Sequence, residues 1–337
     1  MFKKIWIVTI IIFALFLLGA AGLAGYVYWD LSTALASQEK EVVFRVSEGE
    51  NIDIVTKNLN EKNLLRDTLL FPLYLKFTGK DKQIKTGIYS LSPSMNISQI
   101  AEALASGKTK EVWFTIPEGW TAKQIAEELA QKEIVTKDDF LNEVNSGKFD
   151  YAFLADKPED KNLEGYLFPD TYKVEVGSTA HQVIEKMLDN FQNKLNANML
   201  ATIKNNGLTV FQTVILASII EKEARADADR RLVSGVFKNR LTLDMPLESC
   251  ATLQYILGTT NSFLTYEETQ MDNPYNTYKN MGLPPGPISN PGLESLRAAV
   301  YPKETDYLYF LSDKDGNLYF SETYWEHLAK REQYLGE

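Results

Sequence analysis

The stretch VFRVSEGENIDIVTKNLNEKNLL, Val43 to Leu65, decides the fold, because it recurs as WFTIPEGWTAKQIAEELAQKEIV, Trp113 to Val135. Glu48-Gly49 matches Glu118-Gly119, Val55 matches Ile125 and Leu59 matches Leu129. Each copy opens as an alternating strand, turns at Glu-Gly, and continues with apolar residues at helical spacing. A weaker third copy, GIYSLSPSMNISQIAEALASGK, runs from Gly87 to Lys108. Strand-plus-helix units of this kind give an α+β fold, and so few copies do not make a solenoid. The pattern predicts a small α+β module over residues 41–110 and a second, similar unit feeding the rest of the chain, 111–337.

Ahead of the first copy stands IWIVTIIIFALFLLGAAGLAGYVYW, Ile5 to Trp29, which carries no charge. A helix needs about 20 apolar residues to cross a bilayer, so residues 1–30 read as a cytoplasmic tip and a transmembrane anchor. Lys3 and Lys4 place the N-terminus in the cytoplasm and the remainder outside, while Trp6, Tyr26, Tyr28 and Trp29 sit where interfacial aromatics belong. A cleaved signal peptide is the alternative, since GAAGLAG offers small residues, but its apolar core would be only about 7 to 15 residues long. Residues 31–40, LSTALASQEK, read as a polar helical stalk.

The 337 residues, 45% of them hydrophobic, suffice for two or three domains with cores of their own. With 45 acidic against 35 basic residues the formal charge is −10, which argues against a nucleic-acid surface and favours a neutral or zwitterionic substrate. The single cysteine, Cys250, cannot form an intramolecular disulfide, so an exported domain would rest on its core alone. Beyond residue 150 the pattern turns helical, as over Thr179 to Ala197 and Thr209 to Ala226. It closes with a hairpin over Tyr307 to Ser321, turning at Asp315-Gly316, and a last helix over Glu322 to Leu335.

The chemistry narrows by elimination. There are two histidines, His181 and His327, and no HExxH, CxxC, Walker or G-x-S-x-G pattern, so neither a metal nor a cofactor is expected. Carboxylates remain, and TVILASIIEKEARADADRR, Thr213 to Arg231, places Glu221 and Glu223 at the end of an apolar run. Glu221 has Arg225 four residues on, an order that favours its charged form. Glu223 follows Ile220, Ile219 and Leu216 on one stripe and has Asp227 four residues on, and both features favour the protonated acid. Glu223 is thus the better general acid; the plain alternative is that both are exposed charges ending a core helix. Two further stretches shift the odds toward a functional site. NLEGYLFPDTYKV, Asn162 to Val174, gathers Glu164 and Tyr166 with other polar and aromatic residues, and NPYNTYKNMGLPPGPISNPG, Asn273 to Gly292, is a long loop whose Tyr275-Asn276-Thr277-Tyr278 could stack on and hydrogen-bond to sugars. A structural turn with its aromatics in the core is the alternative for each.

Taken together, these residues resemble the YceG-like endolytic murein transglycosylases (MltG). The resemblance is carried by E-G-Y-L-F-P-D-T-Y at Glu164 to Tyr172, A-S-I-I-E-K-E-A at Ala217 to Ala224, V-F-x-N-R-L at Val236 to Leu241, Y-N-T-Y at Tyr275 to Tyr278, G-L-P-P-G-P-I at Gly282 to Ile288 and N-P-G-x-x-S-L-x-A-A at Asn290 to Ala299. One departure is Ser249-Cys250-Ala251, where the family usually has Asp-Pro after the serine. The resemblance implies a LysM-like module over residues 41–110, for which a spacer is the alternative, and a mainly helical catalytic domain over 111–337. It implies Glu223 as the catalytic residue, with Glu164, Tyr166, Asn276 and Tyr278 binding substrate. It further implies a plasma-membrane enzyme acting outside the cytoplasm on nascent peptidoglycan strands beside penicillin-binding synthases, and leaving 1,6-anhydromuramyl ends. A hydrolysing muramidase and a non-catalytic peptidoglycan-binding scaffold remain the rival readings.

Overall fold

The uncharged N-terminal run forms one long helix in this computed structural model, α1 (Phe2–Ser32), whose side chains from Ile11 to Leu18 are largely exposed along an apolar surface. It is long and apolar enough to cross a membrane. The structure describes residues 2–37, 40–47, 49–107, 109, 111–259 and 264–336. Glu48 of the first Glu-Gly turn, Gln38 and Glu39 of the expected stalk, Lys108 at the end of the third copy and the side chains of Lys3 and Lys4 lie outside this description.

The stalk expected over residues 31–40 is helical only as far as Ser32, where α1 stops, and among the described residues that follow the chain bends over 33–37. Arg66 is the physical reason. Its guanidinium pairs with the buried Asp30 at 3.2 Å and donates to the carbonyls of Thr33 at 2.9 Å and Ala34 at 2.8 Å, satisfying groups that a continuing helix would have used itself.

The chain then runs through β1 (Val42–Val46), α2 (Ile52–Glu61), α3 (Leu70–Thr78), β2 (Gly87–Leu91) and α4 (Ile97–Ser106). The first and third sequence copies are therefore β1-α2 and β2-α4, and their strands pair antiparallel with Val42 opposite Leu91. Phe44, Val55, Leu59, Phe71, Leu75, Tyr89, Ile100 and Leu104 close a core beneath them, with Leu31 of α1 packed against it. The second copy is β3 (Glu111–Thr115) and α5 (Ala122–Gln131). Asn51, Asn96 and Thr121 cap the three repeat helices at the same point of each copy, and the last two complete capping boxes with Gln99 and Gln124. Gly49 and Gly119 both take positive φ, 79° and 75°, which is why each turn carries glycine.

After α6 (Lys137–Ser146) come β4 (Thr171–Glu175), α7 (Ala180–Lys194), α8 (Ala197–Asn205), α9 (Val210–Glu223), α10 (Asp227–Thr242), α11 (Cys250–Leu257), α12 (Tyr266–Thr269) and α13 (Leu293–Val300). The hairpin β5 (Tyr309–Ser312) and β6 (Leu318–Ser321) and the helix α14 (Tyr324–Leu335) end the chain. β3 and β4 form a two-stranded sheet of their own. The fold is mixed α+β, mostly helical, and divides into two compact units: residues 1–112 with 174–177, and residues 113–173 with 178–337.

In the second unit α9 is the central element. Every residue from Val210 to Ile220 except Gln212 is buried, so the helix is apolar all round rather than striped, and it packs against α8, α10, α11 and α13. It does not run on to Ala226 as the apolar pattern suggests. Ala224 turns extended at φ −132° and ψ 137°, and Asp227 starts α10 afresh.

Candidate active site

Glu223 is the last residue of α9, where the core helix reaches open space, and its side chain keeps part of its surface exposed. The carboxylate is met by the start of α11. Ser249 Oγ donates to Oε1 in a short hydrogen bond, and the Ala251 amide donates to the same oxygen at 3.4 Å. Ser249 stands at the N-cap of α11 but makes no cap bond, because its hydroxyl is spent on Glu223. Burial pushes the proton affinity of Glu223 above the ordinary carboxylate range, and the two donors oppose this only partly. The repulsion from Asp227 inferred from helical spacing plays no part. The break at Ala224 removes the four-residue relation, and Asp227 pairs with Arg230 at 2.7 Å.

The partner expected for Glu221 is also corrected. Its side chain is only 6% exposed and pairs with Arg230 at 3.3 Å rather than with Arg225, while its other oxygen accepts from the Gly292 amide at 2.9 Å. Arg225 cannot reach back, since the helix has ended before it. Arg230 also faces Glu118 at 3.7 Å, and burial followed by the charge of Glu221 pushes the Glu118 carboxyl up. The second Glu-Gly turn thus lies in the cluster behind the helix end.

The Tyr275–Tyr278 loop latches onto the same region through Thr277. Its hydroxyl accepts from the Ser249 amide at 3.0 Å, and its carbonyl accepts from the Glu248 amide at 3.0 Å. Tyr278 reaches Cys250 Sγ at 3.0 Å, and both groups feel the charge of Glu223; burial, the larger cause, pushes phenol and thiol up, so both stay protonated. Asn276 is fully buried and spends its amide within the loop, donating to the carbonyls of Thr269 and Met271 at 3.0 and 2.8 Å and accepting from the Tyr278 amide at 3.0 Å.

Glu164 and Tyr166 belong to a neighbouring assembly. Glu164 is buried, accepts from the Ala122 amide at the start of α5 at 3.0 Å and from Asn290 Nδ2 at 2.7 Å, and its pKa is pushed up to about 7 by burial, with those bonds opposing. Asn290 joins three segments, accepting from the amides of Gly165 and Leu167 at 2.8 and 2.9 Å and donating to the Trp120 carbonyl at 2.9 Å. Gly165 sits at φ 91° with no room for a Cβ, which would come within 2.6 Å of Val214 and Pro287. Tyr166 is wholly buried against Phe153 and Phe191. Beside this assembly a polar cavity of about 320 Å³ is lined by Asn145, Asp160, Lys161, Asn162, Tyr255 and Tyr275, together with Gly286 and Pro287. Burial raises the proton affinity of both tyrosines, and the charge of Glu164 adds to it.

The sequence as a whole matches the YceG-like family over residues 44–333. This chain belongs to the YceG-like family. An endolytic murein transglycosylase of Streptococcus pneumoniae strain D39 is 33% identical over 96% of this chain, and the chain spans 64% of that relative's length. A protein of the same name from Bacillus subtilis strain 168 is 33% identical over 87% of this chain and 85% of its own. The crystal structure of a yceG-like protein from Listeria monocytogenes is 35% identical, with a TM-score of 0.59 over 87% of this chain and all of that one.

In this YceG-like chain the structure brings Glu223 and Tyr278 together and sets Glu164, Tyr166 and Asn276 in buried positions that hold loops. Ser249, Thr277, Asn290, Glu118 and Arg230 are the residues whose contacts the sequence did not disclose. Ser249 and Asn290 had a signal, each standing in a motif stretch, but nothing in that stretch names a partner far along the chain.

Proposed function

We propose that this chain cuts peptidoglycan glycan strands internally, between N-acetylmuramic acid and N-acetylglucosamine, as a lytic transglycosylase. The observation that carries the reading is the setting of Glu223, a carboxyl at the end of an apolar helix with raised proton affinity and one oxygen held by two donors. With Oε1 engaged by Ser249 and Ala251, the acid proton belongs on Oε2, which is left to face a substrate. The acid gives that proton to the departing glycosidic oxygen as the bond to the muramyl anomeric carbon breaks. The carboxylate then accepts the proton of the muramyl C6 hydroxyl, whose oxygen bonds to the anomeric carbon and closes the 1,6-anhydro ring. Glu223 ends protonated, as it began. Because the nucleophile belongs to the substrate, the second carboxylate of a hydrolysing glycosidase has no task here. The names of the pneumococcal and Bacillus relatives support the same reading.

Among the substrate-binding residues, Tyr278 is assigned to contact beside the acid, while Glu164, Tyr166 and Asn276 act by fixing the loops that carry the contacts. The tyrosine-lined cavity supplies the aromatic faces on which a pyranose stacks. We read α1 as a membrane anchor with Lys3 and Lys4 on the cytoplasmic side, the first unit as a LysM-like glycan-binding module over residues 41–110, residues 111–337 as the catalytic domain, and the partners as peptidoglycan and penicillin-binding synthases.

The test is mass spectrometry of products from glycan strands incubated with the purified chain. Anhydromuramyl ends are expected, and Glu223→Gln should lower their release by about 10²- to 10⁴-fold while circular dichroism is unchanged. Reducing ends would mean hydrolysis, and retention of uncut strands a scaffold.

A further inference from the structure

Leu69, the N-cap of α3 with helical φ and ψ, and Leu73 and Phe77 within α3 follow one another at four-residue spacing and are 72%, 61% and 93% exposed. That spacing puts them on one face, a stripe about 12 Å long at 1.5 Å per residue. The opposite face, Phe71 and Leu75, is fully buried in the core of the first unit. The helix is therefore apolar on both sides, and a run of large exposed side chains is uncommon on a surface that meets only water.

The neighbourhood of the stripe says what covers it. Arg66, three residues before Leu69, pairs with Asp30 and binds the carbonyls of Thr33 and Ala34 at the end of α1, and its guanidinium lies over the Trp29 ring at 4.4 Å. Tyr26, Tyr28 and Trp29 are exposed aromatics at the end of an apolar span, the position of the belt at a bilayer surface. Arg66 is thus held at the depth of that belt, and three residues of chain reach at most about 11 Å further. Helices lying in an interface bury their apolar face about 5–10 Å into the headgroup boundary, so Leu69 starts the stripe within chain reach of that boundary. Lys76 within α3 and Lys82 just after it are exposed, as fits anionic headgroups.

We infer that α3 lies in the surface of the bilayer that α1 spans, with Leu69, Leu73 and Phe77 in contact with lipid, so that Arg66 and α3 together fix the first unit against the membrane. The inference rests on α1 being a span. It makes the first unit a membrane-seated platform rather than a freely swinging tether.

The full chain, reconstituted in vesicles of phosphatidylethanolamine and phosphatidylglycerol, tests this with p-benzoylphenylalanine placed in turn at positions 77, 17 and 314. Leu17 lies within α1, and Lys314 is an exposed charge in the β5-β6 turn. After irradiation, lipid adducts by mass spectrometry are expected at positions 17 and 77, with position 77 about tenfold above position 314. Adducts at 17 with position 77 no higher than 314 would overturn the inference and leave the anchor standing. Cross-linking of position 77 to a second copy instead of lipid would also overturn it, in favour of self-association. No lipid adduct at 17 would remove the span itself, and the inference with it. Because all three positions are exposed, the substitutions leave the core intact.

Discussion

With Ser249 Oγ and the Ala251 amide both donating to one oxygen of Glu223, removing the serine hydroxyl subtracts a bond made to the charged form. Ser249→Ala should therefore raise the proton affinity of Glu223 further. The limb of the pH–rate profile that reports loss of the acid proton is expected to move to higher pH, and a limb that stays in place would remove Ser249 from its positioning role. Glu221 makes a contrasting case. Buried beside Arg230 and accepting from Gly292, it is a structural anion, and Glu221→Gln should cost about 1.5–3 kcal/mol of stability, the usual worth of a hydrogen bond to a charged group. Urea unfolding of the purified variant checks this; a loss of a few tenths would return Glu221 to the surface role that helical spacing first gives it. The spacing misled because α9 stops without a glycine or proline to mark the stop, so Arg225 and Asp227 looked like helical neighbours. The apolar setting read for Glu223 is independent of the break, since Leu216, Ile219 and Ile220 precede it and are buried.

Among the elements, those built from local contacts were legible and those joined at a distance were not. The repeat helices have their caps and apolar positions written within a dozen residues, as Asn96 with Gln99 and Thr121 with Gln124 show. The same holds for the β5-β6 hairpin, whose turn glycine at position 316 takes φ 88°. Glu164 and Asn290, by contrast, meet across 126 residues of chain, and no spacing rule reports such a pair. That pair has a measurable consequence. The folded-state pKa of Glu164 is raised by burial from 4.5 to about 7, so the folded chain holds this proton more tightly than the unfolded chain does. Its contribution to stability is complete below the ordinary carboxylate pKa and is lost as pH rises through about 7. Glu164→Gln keeps an acceptor for Ala122 and Asn290 but no proton to lose. Denaturation curves from pH 4.5 to 8 should be flatter for the variant than for the parent, and equal slopes would show that Glu164 does not titrate in this range.

At the scale of the whole chain, the repeat that decides the fold does not respect the division between the two units. Copies one and three close their own core in the first unit, whereas the second copy's turn belongs to the second unit, where the Gly119 amide donates to the Asn290 carbonyl at 2.9 Å and Glu118 faces Arg230. Everything placed at the candidate site, from Glu118 and Glu164 to Glu223, Ser249 and Tyr278, lies in residues 113–173 and 178–337. Sequence similarity alone would group all three copies as one module, so a deletion guided by it would remove the turn that braces the site. Removing only Glu41 to Lys108 spares that turn. If the first unit binds glycan and the second cuts it, this deletion should raise KM on isolated strands and leave kcat within about twofold, since it withdraws binding that is equal in ground and transition states. Removing Glu41 to Val135 takes the brace as well, and kcat should then fall while KM rises, through loss of the contacts that hold Asn290. Turnover assays on both purified variants, each first checked for folding by circular dichroism, separate the two outcomes. A shorter deletion that is folded yet inactive at saturating substrate would place the first unit inside the catalytic machinery.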